Sequence, residues 1–113
     1  MAERARKLLQ RADDGKVLIV VLPVILAEAF YTLESYYKIR RKDIAEKLAL
    51  FIEARGVEAV ERERLRDALK RCQTQNAHFA DAYLAASALD LHLPIACFDR
   101  DFDKFTDVRR LEP

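Results

Sequence analysis

The chain has 113 residues, 51% hydrophobic and 35% charged, which is the balance of a globular protein with one domain (1–113) and one core. Its formal net charge is +1, so there is no global basic signal for nucleic acid, and any such binding has to use a local patch. Two glycines and three prolines leave no low-complexity linker, and no internal repeat is visible.

Residues 2–14 read as a helix, with Ala5, Leu8, Leu9 and Ala12 on one face and Gly15 as its stop. This charged start is unlike a signal peptide. Val17–Leu22 is β-branched and continuously apolar, the pattern of a strand covered on both faces. The apolar run from Val17 to Ala27 is too short to span a membrane. Pro23 fits the first turn of a helix reaching about Tyr37. A second helix follows from about Arg41 to Arg55, with Ile44, Leu48, Phe51 and Ile52 as its stripe, and Gly56 breaks it. Val57–Val60 is a weak short strand. Residues 61–73 are helical, with Leu65, Ala68, Leu69 and Cys72 at helix spacing. Residues 77–92 form an alanine- and leucine-rich helix that Pro94 stops. Ile95–Phe98 reads as another buried strand, and a last one lies near Val108–Leu111. Strands alternating with helices predict an α/β fold with a largely parallel sheet. Cys72 and Cys97 have no second thiol or His at ligand spacing, so both are expected to be reduced thiols in a cytoplasmic protein.

In an open parallel sheet, sites form outside the carboxyl ends of the strands. Asp99 follows Ile95–Phe98 directly. Glu28 comes about one turn into the helix after the first strand, among Val24, Ile25, Tyr31 and Thr32. Asp81 sits among Ala77, His78, Leu84 and Ala85. An ionised carboxylate on a core-facing stripe is costly unless something compensates it, and a divalent cation does so. Hard oxygen donors suit Mg²⁺ or Mn²⁺. Each residue also has a plainer reading: Glu28 as a helix-end charge, Asp81 as an arginine's partner, Asp99 as a cap for "DRDF", Asp101 and Asp103 as solvated groups. His78 and His92 read as structural or exposed. Tyr36 and Tyr37 with Lys38, Arg40, Arg41 and Lys42 could contact nucleic acid, although a solvated basic helix start is the simpler reading.

Taken together, "NAHFADAYLAASALDLHLPIACFDRDF" resembles the C-terminal signature of PIN domains, especially the VapC-type toxins of toxin–antitoxin pairs. In that family an Asp opens an alanine-rich helix and a second Asp follows the next strand; here these are Asp81 and Asp99. "VLPVILAEAFYTLESYYKIRR" resembles the middle signature, whose Glu corresponds to Glu28. The resemblance implies a PIN-like three-layer α/β fold, with a central, mostly parallel sheet flanked by helices. It also implies a metal-dependent endoribonuclease in which Glu28, Asp81 and Asp99 bind Mg²⁺ or Mn²⁺ and a metal-activated water attacks an RNA phosphodiester. Asp101 would be a peripheral ligand, and Thr32 and Asn76 would support the ligands from behind. Cys97 stands where the family often has Ser or Thr.

The family's opening strand and its terminal Asp have no counterpart here: "AERARKLLQRADDG" resembles the helix that follows them. Asp13 and Asp14, before Gly15, are no substitute. The resemblance therefore allows two functions. One is a type II toxin with an RNA substrate, a cognate antitoxin, a homodimeric state and no membrane association. The other is a truncated or degenerate PIN domain that only dimerises or binds the antitoxin. A chain short of a central strand should expose strand edges.

Overall fold

Proline and glycine punctuate the chain where the sequence implies. In the computed structural model, which describes residues 2–113, Pro23 opens a helix, and Gly15 and Gly56 take φ of +78° and +80°, the left-handed region that suits glycine. The elements in chain order are α1 (Ala2–Asp13), β1 (Ile19–Val21), α2 (Pro23–Ser35), α3 (Arg41–Ile52), β2 (Val57–Ala59), α4 (Arg62–Gln75), α5 (Phe79–Leu91), β3 (Ile95–Ala96), a 3-10 helix (Arg100–Lys104) and β4 (Arg110–Leu111). The fold is α/β, with helices and small parallel sheets.

The core is built on α4. Leu65, Ala68, Leu69 and Cys72 recur at helix spacing and are all buried. α3 packs on one side through Ile44, Ala45 and Ile52, and α5 on the other through Ala82, Ala85, Ala86 and Ala88. The small side chains of α5 allow close approach. Arg71 is the one charged side chain among the described residues that is buried. Its guanidinium reaches Asp107 (Nη1 to Oδ1, 2.8 Å) and Asp67 (Nε to Oδ1, 3.0 Å), and lies 5.4 Å from the Phe105 ring centre. One side chain thus fastens the C-terminal segment to α4.

The sheet is divided, where one central sheet was expected. β1 pairs with β2 in parallel, Ile19 opposite Val57 and Val21 opposite Ala59. β3 pairs with β4 in parallel, Ile95 opposite Arg110. No ladder joins the two pairs. The Ile19 amide donates to Gly56 O (2.8 Å), and the Ile95 amide to Arg109 O (2.8 Å). Alternate residues face opposite edges, so Val20 and Ala96 turn their backbone groups toward a side with no strand.

Burial follows from that division and corrects two expectations. The first strand is covered on one face only: Val21 is buried, but Leu18 is 64% and Val20 57% exposed. In the Ile95–Phe98 segment only Ile95 is buried, and Phe98 is 70% exposed. Apolar composition records that a side chain avoids water, not that this chain supplies the layer covering it. α1 is held mainly at its end, where Ala12 is buried while Leu8 and Leu9 are exposed.

A Cβ on Gly56 would stand 2.3 Å from Ala12 O, and its φ is unfavourable for any L side chain. Gly56→Ala should therefore cost about 2 kcal/mol, read as a lower denaturant midpoint; an unchanged midpoint would mean that α1 does not pack there. Arg71 holds the Asp107 carboxyl below its ordinary value, against the opposing push of burial. A depressed carboxylate contributes stability above its unfolded pKa of about 3.9 and loses it as the pH falls through the lower folded value. The melting temperature should therefore hold down to about pH 5 and drop below about pH 4. Asp107→Asn should lower it at pH 7 and flatten the acid drop; an acid drop that keeps its full size would place its cause elsewhere.

Candidate functional site

Three sequence-predicted carboxylates come from three elements. Glu28 lies in the second turn of α2, since that helix starts at Pro23. Leu26 and Phe30 are the buried residues of α2, and Glu28 falls about 160–200° around the helix from them. It therefore faces water, with Val24, Ile25, Tyr31 and Thr32 around it, all exposed. The expectation of a core-facing apolar stripe around Glu28 is corrected: the stripe exists, but nothing in this chain covers it. Its place in the second turn also removes the helix-end reading.

Asp81 is half-buried in the first turn of α5, where the helix dipole favours negative charge. Neither Glu28 nor Asp81 enters an ion pair or side-chain hydrogen bond among the described residues, so the arginine partner considered for Asp81 is not found.

Asp99 is both a strand end and a cap. Its Oδ1 accepts the Asp101 amide (2.9 Å) and starts the 3-10 helix, as the capping reading of "DRDF" implies. The Cys97 Sγ accepts the Asp99 amide at 3.2 Å, so a thiol holds the backbone at this turn. Arg110 holds it from the other side: Nη1 donates to Cys97 O (2.9 Å) and Nε to Asp103 (2.8 Å). Asp103 is thus ion-paired, not simply solvated, and Arg110 keeps its carboxyl below the ordinary value. Asp101 pairs with Lys104 (2.9 Å).

A second cluster was not visible in the sequence. Arg41 Nε donates to Glu34, its Nη1 to Asn76 O (2.6 Å), and its Nη2 lies 2.8–3.0 Å from the His78 ring nitrogens. Asn76, expected behind the ligands, is engaged here through its backbone carbonyl, in a left-handed turn with φ of 51°. Thr32 is exposed, one turn beyond Glu28. No linear motif marks Glu34, Arg41 and His78, because three different helices bring them together.

Chain lengths allow Asp81 and Asp99 to lie toward the same end of α5. From Asp81, α5 runs about 15 Å to Leu91, and the return from Leu93 to Asp99 spans up to about 20 Å. α2 and α5 meet where the Phe30 and Phe79 rings lie 5.7 Å apart. Even so, no three of the His, Cys, Asp and Glu side chains among the described residues are gathered closely enough to hold a metal ion. The donors suit a hard divalent cation in kind, but not in assembly.

The model of the PIN domain family matches residues 1–108. The chain belongs to the PIN domain family. PIN domains are generally divalent-metal-dependent nucleases, so family membership suggests a nuclease-type function for this chain. Comparison with curated proteins finds no significant match, and comparison with solved structures finds none. Among the described residues no helix is long and apolar enough to cross a membrane.

Arg110 should fix the turn that presents Asp99. Arg110→Ala should speed hydrogen exchange at the Asp101 amide by about tenfold or more, the equivalent of one charge-assisted hydrogen bond. Unchanged exchange would mean that Asp99 and Cys97 hold the turn without it.

Proposed function

We propose that this PIN domain is a metal-dependent endoribonuclease of the VapC toxin type, with Glu28, Asp81 and Asp99 as its acidic site residues and Asp101 beside them. One observation carries the reading. These three carboxylates enter no ion pair among the described residues, although the chain has 20 Lys and Arg and both neighbouring aspartates, Asp101 and Asp103, are paired. Unpaired carboxylates, in a nuclease family, are the groups left available for a cation. Mg²⁺ and Mn²⁺ are the ions that such donors suit.

The set is short of a complete centre. We infer that a further extended segment, pairing with β1 at Val20 or with β3 at Ala96, would complete it. If that segment ended in an aspartate, it would add a carboxylate to the set. This is the strand and acid that the family resemblance lacks here. The reading also calls for a cytoplasmic protein with a cognate antitoxin and a second copy of the chain as partners. Val24, Ile25 and Tyr31 on α2 offer apolar surface for a partner to cover.

The test is RNA cleavage with Mn²⁺, against EDTA and an Asp81→Asn control. The expected result is cleavage lost in both controls. The rate should rise when a strand ending in Asp is added ahead of residue 1 and fall when that Asp is changed to Asn. Cleavage that survives either EDTA or Asp81→Asn would overturn the assignment.

A further inference from the structure

The loop joining α2 to α3 concentrates positive charge. Residues 36–42 read YYKIRRK, with four cations and no acid, in a chain whose net charge is +1. The fold separates these cations by role. Arg41 turns inward to Glu34, Asn76 and His78, and is unavailable to a ligand. Arg40 points into water and, among the described residues, meets only Asp43, at 3.2 Å. Lys38 and Lys42 are exposed and enter no ion pair among the described residues. Lys38 has φ of 58°, which turns the chain sharply after the two tyrosines.

Those tyrosines are the second element of the surface. Tyr36 is 79% and Tyr37 62% exposed, and their rings meet edge-on with centres 5.2 Å apart. Two large aromatic faces left in water beside free cations are costly unless something covers them. A cavity of about 470 Å³ opens alongside, lined by Glu34, Ile39, Arg40, Arg41, Lys42 and Asn76. With only Ile39 apolar among these, it is too polar to seat the apolar face of a partner helix.

We propose that the Tyr36–Lys42 loop is the surface that holds single-stranded RNA beside the acidic residues. Every base has a π face, so stacking on Tyr36 or Tyr37 needs no particular sequence. Lys38, Arg40 and Lys42 meet the phosphates. Arg41 is the positioning residue: through Asn76 and His78 it ties the loop to the start of α5. Asp81 lies three residues beyond His78, about 4.5 Å along the helix. A strand crossing the loop is thereby led toward Asp81. The inference rests on the ribonuclease reading for its substrate and adds where that substrate is held.

The full chain, in EDTA so that nothing is cut, is titrated into a fluorescein-labelled single-stranded RNA of about 12 nucleotides. Polarisation is followed over a range of NaCl. Lys38→Ala with Lys42→Ala should weaken binding about tenfold at low salt and reduce the slope of log K against log salt by about 1.4. Tyr36→Ala with Tyr37→Ala should weaken binding by about 5- to 100-fold and leave the slope unchanged. Lys7→Ala, on α1, should bind like the parent. All the changed loop positions are exposed, and unchanged melting temperatures would show that the fold is intact. Parent-like affinity in both loop variants would overturn the proposal. So would binding to vesicles rich in anionic lipid, but not to RNA, that the loop substitutions abolish. Loop-dependent RNA binding without any Mn²⁺-dependent cleavage would sustain this surface and remove the ribonuclease reading.

Discussion

The break between the two strand pairs is the constraint on which the rest of the structure depends. A continuous parallel sheet buries its strands from both sides and ties distant parts of the chain together through backbone hydrogen bonds. Here each pair satisfies one edge only. Strands of two or three residues do not stand alone, so the helices have to hold them. α4, packed between α3 and α5, supplies the fixed body. The second strand pair is attached to it through Phe102 and Phe105 in the core and through the Arg71–Asp107 contact. A buried guanidinium with two carboxylate partners contributes more to fixing that attachment in one geometry than to net stability.

Ion pairing divides the acidic residues into two groups. Three acids of the C-terminal segment have cations: Asp107 has Arg71, Asp103 has Arg110 and Asp101 has Lys104. Glu28, Asp81 and Asp99 have none among the described residues. Asp81 has the dipole of α5, and Asp99 spends one oxygen on capping its own 3-10 helix. Neither arrangement uses up the carboxylate. Among the described residues the three are not gathered into one ligand set.

Much of this was legible in the sequence, in parts that physics makes local. The stripes Ile44–Ile52 and Leu65–Cys72 are set by helix period and became core. Pro23 and Gly56 act on their own backbone, so the elements begin and end close to where those residues say. Asp99 before Arg-Asp-Phe carries its cap in four residues. Burial is not local, and there the reading failed: Leu18, Val20, Ile25 and Phe98 are as apolar as core residues, yet exposed. The order of carboxylates along the chain singles out Glu28, Asp81 and Asp99 as candidates, but it does not say whether they assemble. The contacts of Arg110 with Cys97 and of Arg41 with His78 join segments far apart in sequence and leave no trace in any short motif.

Arg41 shows how one such contact can join three segments of the chain. Three of its hydrogen-bonding directions are taken by α2, the end of α4 and the cap of α5. A guanidinium is suited to this, since its planar fork can serve several acceptors at once, where an ammonium acts as a point charge. By pointing inward it fixes the start of α3 and leaves Arg40 and Lys42, its neighbours on either side, directed outward on that turn. The charge on the surface is therefore a consequence of the charge inside. The residues that would meet a phosphate backbone are oriented by the contact that fixes the start of α5, one turn from Asp81.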